Sequence, residues 1–220
     1  MAIGAQILII SFYDVLCLWG DCSLVNNKVV FASKNKGKYN EMVVLFGEAP
    51  VELVFAPDLM DIDVEEYGNS YSENALLKAS VWAKALGMPA LADDSGLEVD
   101  ALGKSPGVYS SRVAEDDESR IAWVLNNMVD MKERKARFVA SLALVLPRTN
   151  QVWLVSGFCY GQIALSGRGA EGFGYDPIFI PKGYDKTFAE LGHGIKNRVS
   201  HRSVAVRALC DMLNARSVLK

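Results

Sequence analysis

The stretch PALADDSGLEVDALG (Pro89–Gly103) decides the fold class, because a short apolar strand, Ala90–Ala92, runs directly into two adjacent carboxylates. Burying a carboxylate is costly unless a metal ion or hydrogen-bond donors compensate, and sheets flanked by helices bind ligands where strands end at a crevice. Side chains alternate along a strand, so one of Asp93 and Asp94 is expected to face such a site and the other the scaffold. An Asx turn is the alternative, since Asp-Ser-Gly is also good turn chemistry.

A basic loop lies upstream, between the first predicted strand and the first predicted helix. Val29–Ala32 is a short β-branched and aromatic run that predicts a buried strand, and Met42, Leu45 and Phe46 recur at helical spacing. The loop between them, SKNKGK (Ser33–Lys38), combines free N–H groups at a helix N-terminus with three lysines, which suits a phosphate. It lacks the glycine spacing of a Walker loop, so a solvated basic loop is the alternative.

An acidic segment precedes the second predicted helix. Ser70 and Glu73 form the S-x-x-E pattern of a capping box, and apolar residues at helical spacing follow. Glu65 and Glu66 lie before this cap, where spacing alone favours acidic residues near a helix N-terminus over a metal ligand. Lys78 lies in the helix and is interpreted either as a solvated lysine or as a phosphate contact.

Two long strands and one helix complete the predicted scaffold. Ala136–Pro147 and Gln151–Leu165 predict strands that are joined near Arg148–Asn150. The stretch Asp116–Met131 has apolar residues at helical spacing and predicts a core-facing helix without chemistry of its own.

The glycine-rich stretch GRGAEGFGYDPIF (Gly167–Phe179) contains a GxGxxG pattern. A dinucleotide-binding fingerprint needs a helix directly after its third glycine, whereas here a turn sequence with Pro177 follows, so that interpretation fails. Phe173 and Tyr175 either form a stacking face for a base or are ordinary core residues.

The last predicted helix begins with a cationic turn. Ser200 is the predicted N-cap, and His201 and Arg202 follow it in the first turn. Cations there oppose the helix dipole, which is easier to understand if an anionic or acceptor-rich ligand shares the site.

Composition excludes several classes of protein. The chain has 220 residues, of which 50% are hydrophobic and 22% charged, so it is neither disordered nor collagen-like. Its net charge of −3 provides no general field for a polyanion, so we expect no nucleic-acid partner. Cys17, Cys22, Cys159 and Cys210 form no CxxC pair and are interpreted as reduced thiols of a cytoplasmic protein. Two histidines and the lack of GxSxG argue against a zinc cage and a Ser-His-Asp hydrolase.

Residues 1–27 form an N-terminal extension of uncertain role. They lack the basic start and the cleavage pattern of a signal peptide, and their apolar run, Ile7–Tyr13, is too short to span a bilayer. A dispensable extension is favoured over a weak membrane or partner anchor, so we expect no membrane partner.

Six motifs occur from about Lys28 to the C-terminus in an order that matches a known family. They are SxNxxK at Ser33–Lys38, ENALLKA at Glu73–Ala79, ADDSGLEVDALG at Ala92–Gly103, PGVYSSR at Pro106–Arg112, GFGYDPIF at Gly172–Phe179 and SHRS at Ser200–Ser203. Together they resemble the inosine triphosphate pyrophosphatase family, which hydrolyses non-standard purine nucleoside triphosphates. We therefore predict a nucleoside triphosphate pyrophosphatase domain over residues 28–220.

The resemblance implies a mixed α/β fold with a long central mixed sheet flanked by helices, two lobes with a nucleotide cleft between them, and a homodimer. It gives Asp94 the role of proton acceptor and makes Glu65 and Asp94 the magnesium-site carboxylates, with Glu66 as the alternative to Glu65. The substrate-binding residues that it implies are Ser33, Lys34, Asn35, Lys36, Gly37, Lys38, Lys78, Ser95, Phe173, Gly174, Tyr175, Asp176, Lys196, His201 and Arg202.

The charges agree with that chemistry. A triphosphate of charge about −4 would repel Glu65 and Asp94 unless Mg²⁺ lay between them, so Mg²⁺ is the expected cofactor. In-line attack by water at the α-phosphorus would expel pyrophosphate without a covalent nucleophile. The expected substrates are ITP, dITP and XTP. A pyrophosphatase for modified pyrimidine triphosphates and a non-catalytic nucleotide-binding protein are the alternatives.

Overall fold

The structure is a computed structural model that describes residues 28–47 and 51–218, except for the side chains of residues 214–218. The predictions for residues 1–27, including those for Cys17 and Cys22, lie outside the described residues. Within the described part, Cys159 and Cys210 are free thiols, as predicted. The strands are β1 (Lys28–Phe31), β2 (Glu52–Phe55), β3 (Ala90–Val99), β4 (Lys135–Leu146), β5 (Gln151–Ile163) and β6 (Phe179–Pro181). The helices are α1 (Lys36–Phe46), α2 (Tyr71–Leu86), α3 (Asp117–Asn127), α4 (Phe188–Val199) and α5 (His201–Val218).

The six described strands form one mixed sheet in the order β2-β1-β3-β4-β5-β6. β1 is parallel to β2 and β3, and the remaining pairs are antiparallel. The two long strands predicted on either side of Arg148–Asn150 are β4 and β5, which pair along their whole lengths. The predicted mixed α/β fold with a long central sheet is therefore confirmed.

The predicted end of the strand at Ala92 is wrong, because β3 continues to Val99. Each residue of β3 pairs with β4, including Asp94 with Ser141, so the backbone at the two aspartates is extended and no Asx turn forms. What ends at this point is β1, which pairs only with Ala90 and Leu91 of β3. Beyond Leu91 the edge of β3 has no neighbouring strand among the described residues, and this open edge faces the cavity described below.

Local hydrogen bonds explain where two of the helices begin. Ser70 Oγ accepts from the N–H of Glu73 at 3.2 Å, so the predicted N-cap of α2 is confirmed. The Glu73 carboxylate accepts from the N–H of Asn69 at 2.7 Å, one residue before the position that a capping box uses. At α5, Ser200 Oγ accepts from the N–H of Ser203 at 3.2 Å, which confirms the predicted cap there.

Buried side chains form three clusters that divide the molecule into two lobes. One face of β1, β3 and β4 packs under α1 and α5, and the opposite face packs under α2. The third cluster joins the far ends of β3, β4 and β5 to β6, α3 and α4. The cavity lies where these parts meet, as the predicted two-lobed fold requires. No helix within the described ranges is both long and apolar enough to cross a membrane.

Candidate active site

A cavity of about 330 Å³ opens beside the free edge of β3. It gathers fourteen of the predicted site residues from five separate stretches of chain. These are Ser33, Lys34, Asn35, Lys38, Lys78, Asp94, Ser95, Phe173, Gly174, Tyr175, Asp176, Lys196, His201 and Arg202. Glu66, Asp117 and Arg120 also line the cavity and were given no substrate role from the sequence.

Two residues of the basic loop do not line this cavity. The ammonium group of Lys36 lies 4.5 Å from the ring centre of Tyr39 and 4.4 Å from that of Phe55, on the outer side of α1. Lys36 is therefore a poor candidate for a substrate contact. Gly37 packs closely on Phe173 instead, because a Cβ atom there would lie 3.1 Å from the ring.

The rest of the basic loop is arranged around the N-terminus of α1. Asn35 is the N-cap, and its side-chain oxygen accepts from the N–H of Lys38 at 2.9 Å. Ser33 Oγ accepts from the N–H of Asn35 at 3.2 Å. Lys34 and Lys38 line the cavity beside the positive end of the helix, an arrangement that suits an anion.

Lys78 connects two carboxylates in the wall of the cavity. Its ammonium group donates to Asp94 Oδ1 at 3.0 Å, to Glu66 Oε1 at 2.6 Å and to the carbonyl oxygen of Asp93 at 3.1 Å. Asn74 Nδ2 donates to the other oxygen of Asp94 at 3.3 Å. Lys78 is 8% exposed, so the solvated-lysine interpretation is wrong. Burial raises the pKa of Asp94, although Lys78 and Lys38 act in the opposite direction.

Glu66, rather than Glu65, is the carboxylate that faces Asp94. Exposure alternates along the extended segment 61–70, which turns Glu65 to solvent and Glu66 towards the cavity. Arg112 holds Glu66 in place, because it donates to the Glu66 carbonyl oxygen at 3.1 Å and lies 3.6 Å from its carboxylate. Glu66, the neighbour that the sequence left open, is therefore placed better than Glu65 to share a metal with Asp94.

The donor set near Lys78 fits a magnesium ion that is shared with a phosphate. Asp94 and Glu66 already converge on one cationic group, the ammonium of Lys78. No group of three or more His, Cys, Asp or Glu side chains arranged to hold a metal occurs among the described residues. Mg²⁺ is commonly bound by one or two carboxylates together with substrate phosphates, so a site of two carboxylates suits it without a larger protein cage.

A second, buried charge network joins the start of α5 to carboxylates of three other elements. Arg202 Nε donates to Asp93 Oδ2 at 2.8 Å, and its NH1 group donates to Glu41. Lys196 lies 2.6 Å from the other Glu41 oxygen and 2.5 Å from Asp176 Oδ2. The cationic start of α5 is therefore compensated by carboxylates of the protein itself. Glu41 was missed in the sequence because a single glutamate inside a predicted helix carries no pattern.

The two adjacent aspartates of β3 face different surroundings, as their alternation predicted. Asp93 is fully buried on the scaffold side, and its carboxylate also lies 3.6 Å from Lys38. Burial alone would raise the pKa of Asp93, but Arg202 and Lys38 together lower it below its ordinary value. Asp93 is therefore a charged structural residue, whereas Asp94 lines the cavity.

The two aromatic residues around Gly174 have different surroundings. The Phe173 ring is part of the cavity lining, and the ammonium of Lys196 lies 4.4 Å from its centre. Tyr175 is 5% exposed, packs in a hydrophobic cluster and donates its hydroxyl to the carbonyl oxygen of Ser110 at 2.7 Å. Phe173 thus fits a stacking face, and Tyr175 fits the core interpretation.

His201 reaches the cavity as a buried ring. It stacks on Phe138 with ring centres 4.7 Å apart. Burial lowers the pKa of His201 well below its ordinary value, and Arg202 lowers it further. α5 can approach β5 this closely because Gly157 has no side chain, and a Cβ atom there would lie 2.2 Å from the His201 carbonyl oxygen.

These site residues belong to a chain that matches a known family almost throughout. The Ham1 family model matches residues 29–212. The chain belongs to the Ham1 family. Among the curated relatives of this Ham1 chain, the dITP/XTP pyrophosphatase of Synechococcus sp. (strain CC9311) is 45% identical over 186 residues, which is 84% of this chain and 89% of the relative. The dITP/XTP pyrophosphatase of Bacillus anthracis is 44% identical over 189 residues, which is 83% of this chain and 94% of the relative.

Solved structures of Ham1 proteins share the fold. The Staphylococcus aureus Ham1 protein matches this chain with a TM-score of 0.77 at 39% identity, covering 86% of this chain and 99% of that protein. The nucleoside-triphosphatase / dITP/XTP pyrophosphatase of Mycobacterium abscessus matches with a TM-score of 0.67 at 42% identity, covering 83% and 98%. The family resemblance predicted from the six motifs is therefore confirmed.

Proposed function

We propose that this chain hydrolyses non-standard purine nucleoside triphosphates such as ITP, dITP and XTP to the monophosphate and pyrophosphate. The observation that carries the proposal is the placement of Asp94. Its carboxylate lines a cavity with a basic helix N-terminus on one side and the Phe173 ring on another. The names of the curated Ham1 relatives, dITP/XTP pyrophosphatase, support the same substrate class. The chain is accordingly a hydrolase of nucleotide metabolism.

The triphosphate is proposed to lie between the basic loop and Lys78. Backbone N–H groups at the start of α1, together with Lys34 and Lys38, would bind phosphate oxygens. Lys78 would act on the charge that develops on the leaving pyrophosphate through electrostatic attraction, because all three of its N–H donors are used by Asp94, Glu66 and the carbonyl oxygen of Asp93. Asp94 and Glu66 would hold Mg²⁺, which supplies a positive charge to phosphate oxygens when it is bound.

Asp94 is proposed to accept the proton of the attacking water. Its burial raises its pKa, which makes the carboxylate a better base than an exposed aspartate. Lys78 and Asn74 hold its two oxygens, so the carboxylate is fixed in orientation. No serine or cysteine nucleophile is needed for this step, because water attacks phosphorus directly.

The nucleoside end of the cavity is proposed to select a 6-oxo purine. Inosine and xanthine present an acceptor oxygen at C6, whereas adenine presents an amino donor there. Arg202 has five N–H donors, and bonds to Asp93, Glu41 and Ser95 use one on each nitrogen, so two remain for an acceptor. Burial disfavours the protonated form of His201, so we assign the donor role to Arg202.

A panel of nucleoside triphosphates tests the function. We expect Mg²⁺-dependent release of pyrophosphate, with the nucleoside monophosphate as the second product, from ITP, dITP and XTP. Turnover confined to modified pyrimidine triphosphates would favour the alternative substrate class. Tight ITP binding without any turnover would favour a non-catalytic nucleotide-binding protein.

We also propose a homodimer, because the outer face of β5 is unusually apolar. Val152, Leu154, Phe158 and Tyr160 are between 39% and 57% exposed and point to the same side of the strand. Among the described residues only the last three residues of β5 pair with β6, and no described strand pairs with the rest of its outer edge. A second copy would cover both the face and the edge, which a monomer leaves prone to aggregation. Sedimentation of the wild type and of Leu154→Asp tests this, with a dimer and a monomer expected. The cytoplasmic location stays a prediction.

A further inference from the structure

One hydrogen bond connects α3 to the glycine-rich loop across the cavity wall. The N–H of Gly174 donates to Asp117 Oδ2 at 2.6 Å, and the two residues are 57 positions apart in sequence. Arg120 NH1 donates to the other oxygen of Asp117 at 2.8 Å. Arg120 is itself fixed, because its remaining nitrogens donate to the carbonyl oxygens of Ala114 and Glu115. The Asp117 carboxylate is therefore held in one orientation by the start of its own helix.

The loop that receives this bond forms the nucleoside side of the cavity. Asp176 Oδ2 accepts from the N–H of Phe173 at 2.9 Å, and Lys196 holds Asp176. The Tyr175 hydroxyl donates to the Ser110 carbonyl oxygen, which ties the loop to the segment after β3. Between these two attachments Gly174 has a φ of 61° and no packing neighbour at its Cβ position. The peptide that joins Phe173 to Gly174 is held on its N–H side by Asp117 and on its carbonyl side by the N–H of Asp176, at 3.3 Å. The bond to Asp117 is the shorter of the two and the one that joins this peptide to another element.

The position of Phe173 depends on the same backbone segment. Its ring lies near the ammonium of Lys196 and packs closely on Gly37, where a Cβ atom would approach the ring to 3.1 Å. A rotation of the peptide plane at Gly174 would move this ring within the cavity. The ring is the proposed stacking surface for the base, so its displacement would weaken substrate binding more than it would alter the phosphate chemistry at Asp94.

We propose that Asp117 is a positioning residue for substrate binding, which fixes the Phe173 ring by holding the Gly174 amide. The expected change in KM rests on the proposed function, whereas the expected loosening of the Gly174 backbone does not. Asp117 also lies in the first turn of α3, where any carboxylate interacts favourably with the helix dipole. Glu118 shares that turn and is exposed, so it provides a matched control for the dipole contribution.

Kinetics with Mg²⁺ and ITP separate the two roles of Asp117. For Asp117→Ala we expect KM to rise about tenfold, which corresponds to the lower end of the free energy lost with a hydrogen bond to a charged group. The value of kcat should stay within about threefold of the wild type. Asp117→Asn keeps an acceptor oxygen for the Gly174 amide but turns its NH2 group towards Arg120, so KM should lie between those of the wild type and Asp117→Ala. Glu118→Ala should match the wild type. An unchanged KM in Asp117→Ala, or an equal rise in Glu118→Ala, would overturn the proposal.

Hydrogen exchange of the substrate-free protein supplies a readout that does not need activity. The peptide containing Gly174 should exchange faster in Asp117→Ala than in the wild type or in Glu118→Ala, while peptides of β4 exchange alike in all three. Equal protection of the Gly174 peptide would refute the proposal even if the wild type hydrolyses ITP. Faster exchange with no wild-type turnover would refute the proposed function alone. If Asp117→Ala fails to fold, Asp117→Glu replaces it, because the charge is kept and the oxygens are displaced.

Discussion

Exchanging each aspartate of β3 for asparagine should separate catalysis from stability. Asp94→Asn removes the proposed base and one of the two proposed magnesium ligands from the cavity. The side-chain shape is kept, and the new amide oxygen can still accept from Lys78 at the position of Oδ1, while the new NH2 group loses the bond from Asn74. Losing base and metal ligand together should lower kcat by roughly 10²–10⁴. The fold should tolerate the change, because burial disfavours a charge at this position.

Asp93→Asn should give the opposite result. Arg202 and Lys38 lower the pKa of Asp93, so the folded protein favours its charged form. Removing one member of a buried ion pair costs about 3–5 kcal/mol, which for a domain of this size lowers Tm by roughly 10 °C. Activity at a temperature where the variant is folded should fall much less than in Asp94→Asn.

The measurement is a pair of assays on both variants, pyrophosphate release from Mg²⁺ and ITP and thermal unfolding followed by circular dichroism. Asp94→Asn should unfold within a few degrees of the wild type and lose turnover. A kcat within tenfold of the wild type would refute the role of Asp94. If Asp93→Asn were the inactive but stable variant, the two side chains would face the opposite way from the structure.

Further predictions concern the second carboxylate, the buried histidine and the N-terminal extension. Glu66→Gln should reduce Mg²⁺-dependent turnover at least about tenfold. Turnover of Glu65→Gln, a change at the exposed neighbour, should stay within about twofold of the wild type, and titrations of activity against Mg²⁺ measure both. Burial lowers the pKa of His201 in the folded protein below its ordinary value of 6.5. As the pH falls through 6.5, the His201 ring therefore takes up a proton in the unfolded state but not in the folded state. The free energy of unfolding should then decrease by up to about 1.4 kcal/mol per pH unit below this point. Urea unfolding at several pH values should show that the free energy of unfolding decreases less steeply with falling pH in His201→Gln than in the wild type. Identical slopes in the two proteins would contradict this role of His201. Removing residues 1–27 should leave turnover and solubility unchanged, and loss of either would favour an anchoring role.

The scaffold was predictable from the sequence where the pattern is local. Periodicity gave β1, α1, β4 and β5, and the S-x-x-E pattern gave the start of α2 at the correct residue. The end of β3 was not predictable, because Asp93 and Asp94 are poor strand formers when considered alone. Pairing with β4 keeps them extended, and this pairing depends on residues some 50 positions later in the chain.

The candidate site was predictable where motifs carry chemistry and not where partners come from distant elements. The motifs identified Lys78 and Asp94, but only the fold shows that one ammonium joins Asp94 to Glu66. The choice between Glu65 and Glu66 depends on which side chains of the extended segment 61–70 point towards the cavity. The sequence of a loop has no periodicity that predicts this direction. Asp117 has no motif at all, since its partner is a backbone amide 57 residues away.

The most direct test of the proposed function compares kcat/KM of the wild type for ITP, ATP and GTP under one Mg²⁺ concentration. Unpaired donors of Arg202 would meet the amino group of adenine, and a site that hydrogen-bonds its substrate can reject such an analogue by up to about 10⁴–10⁵. Guanine shares the C6 oxygen, so its rejection requires a donor or a tight wall near C2. We predict that ITP exceeds ATP by at least a thousandfold and that GTP is also a poor substrate. Comparable rates on ITP and ATP would contradict the proposed selection of a 6-oxo purine.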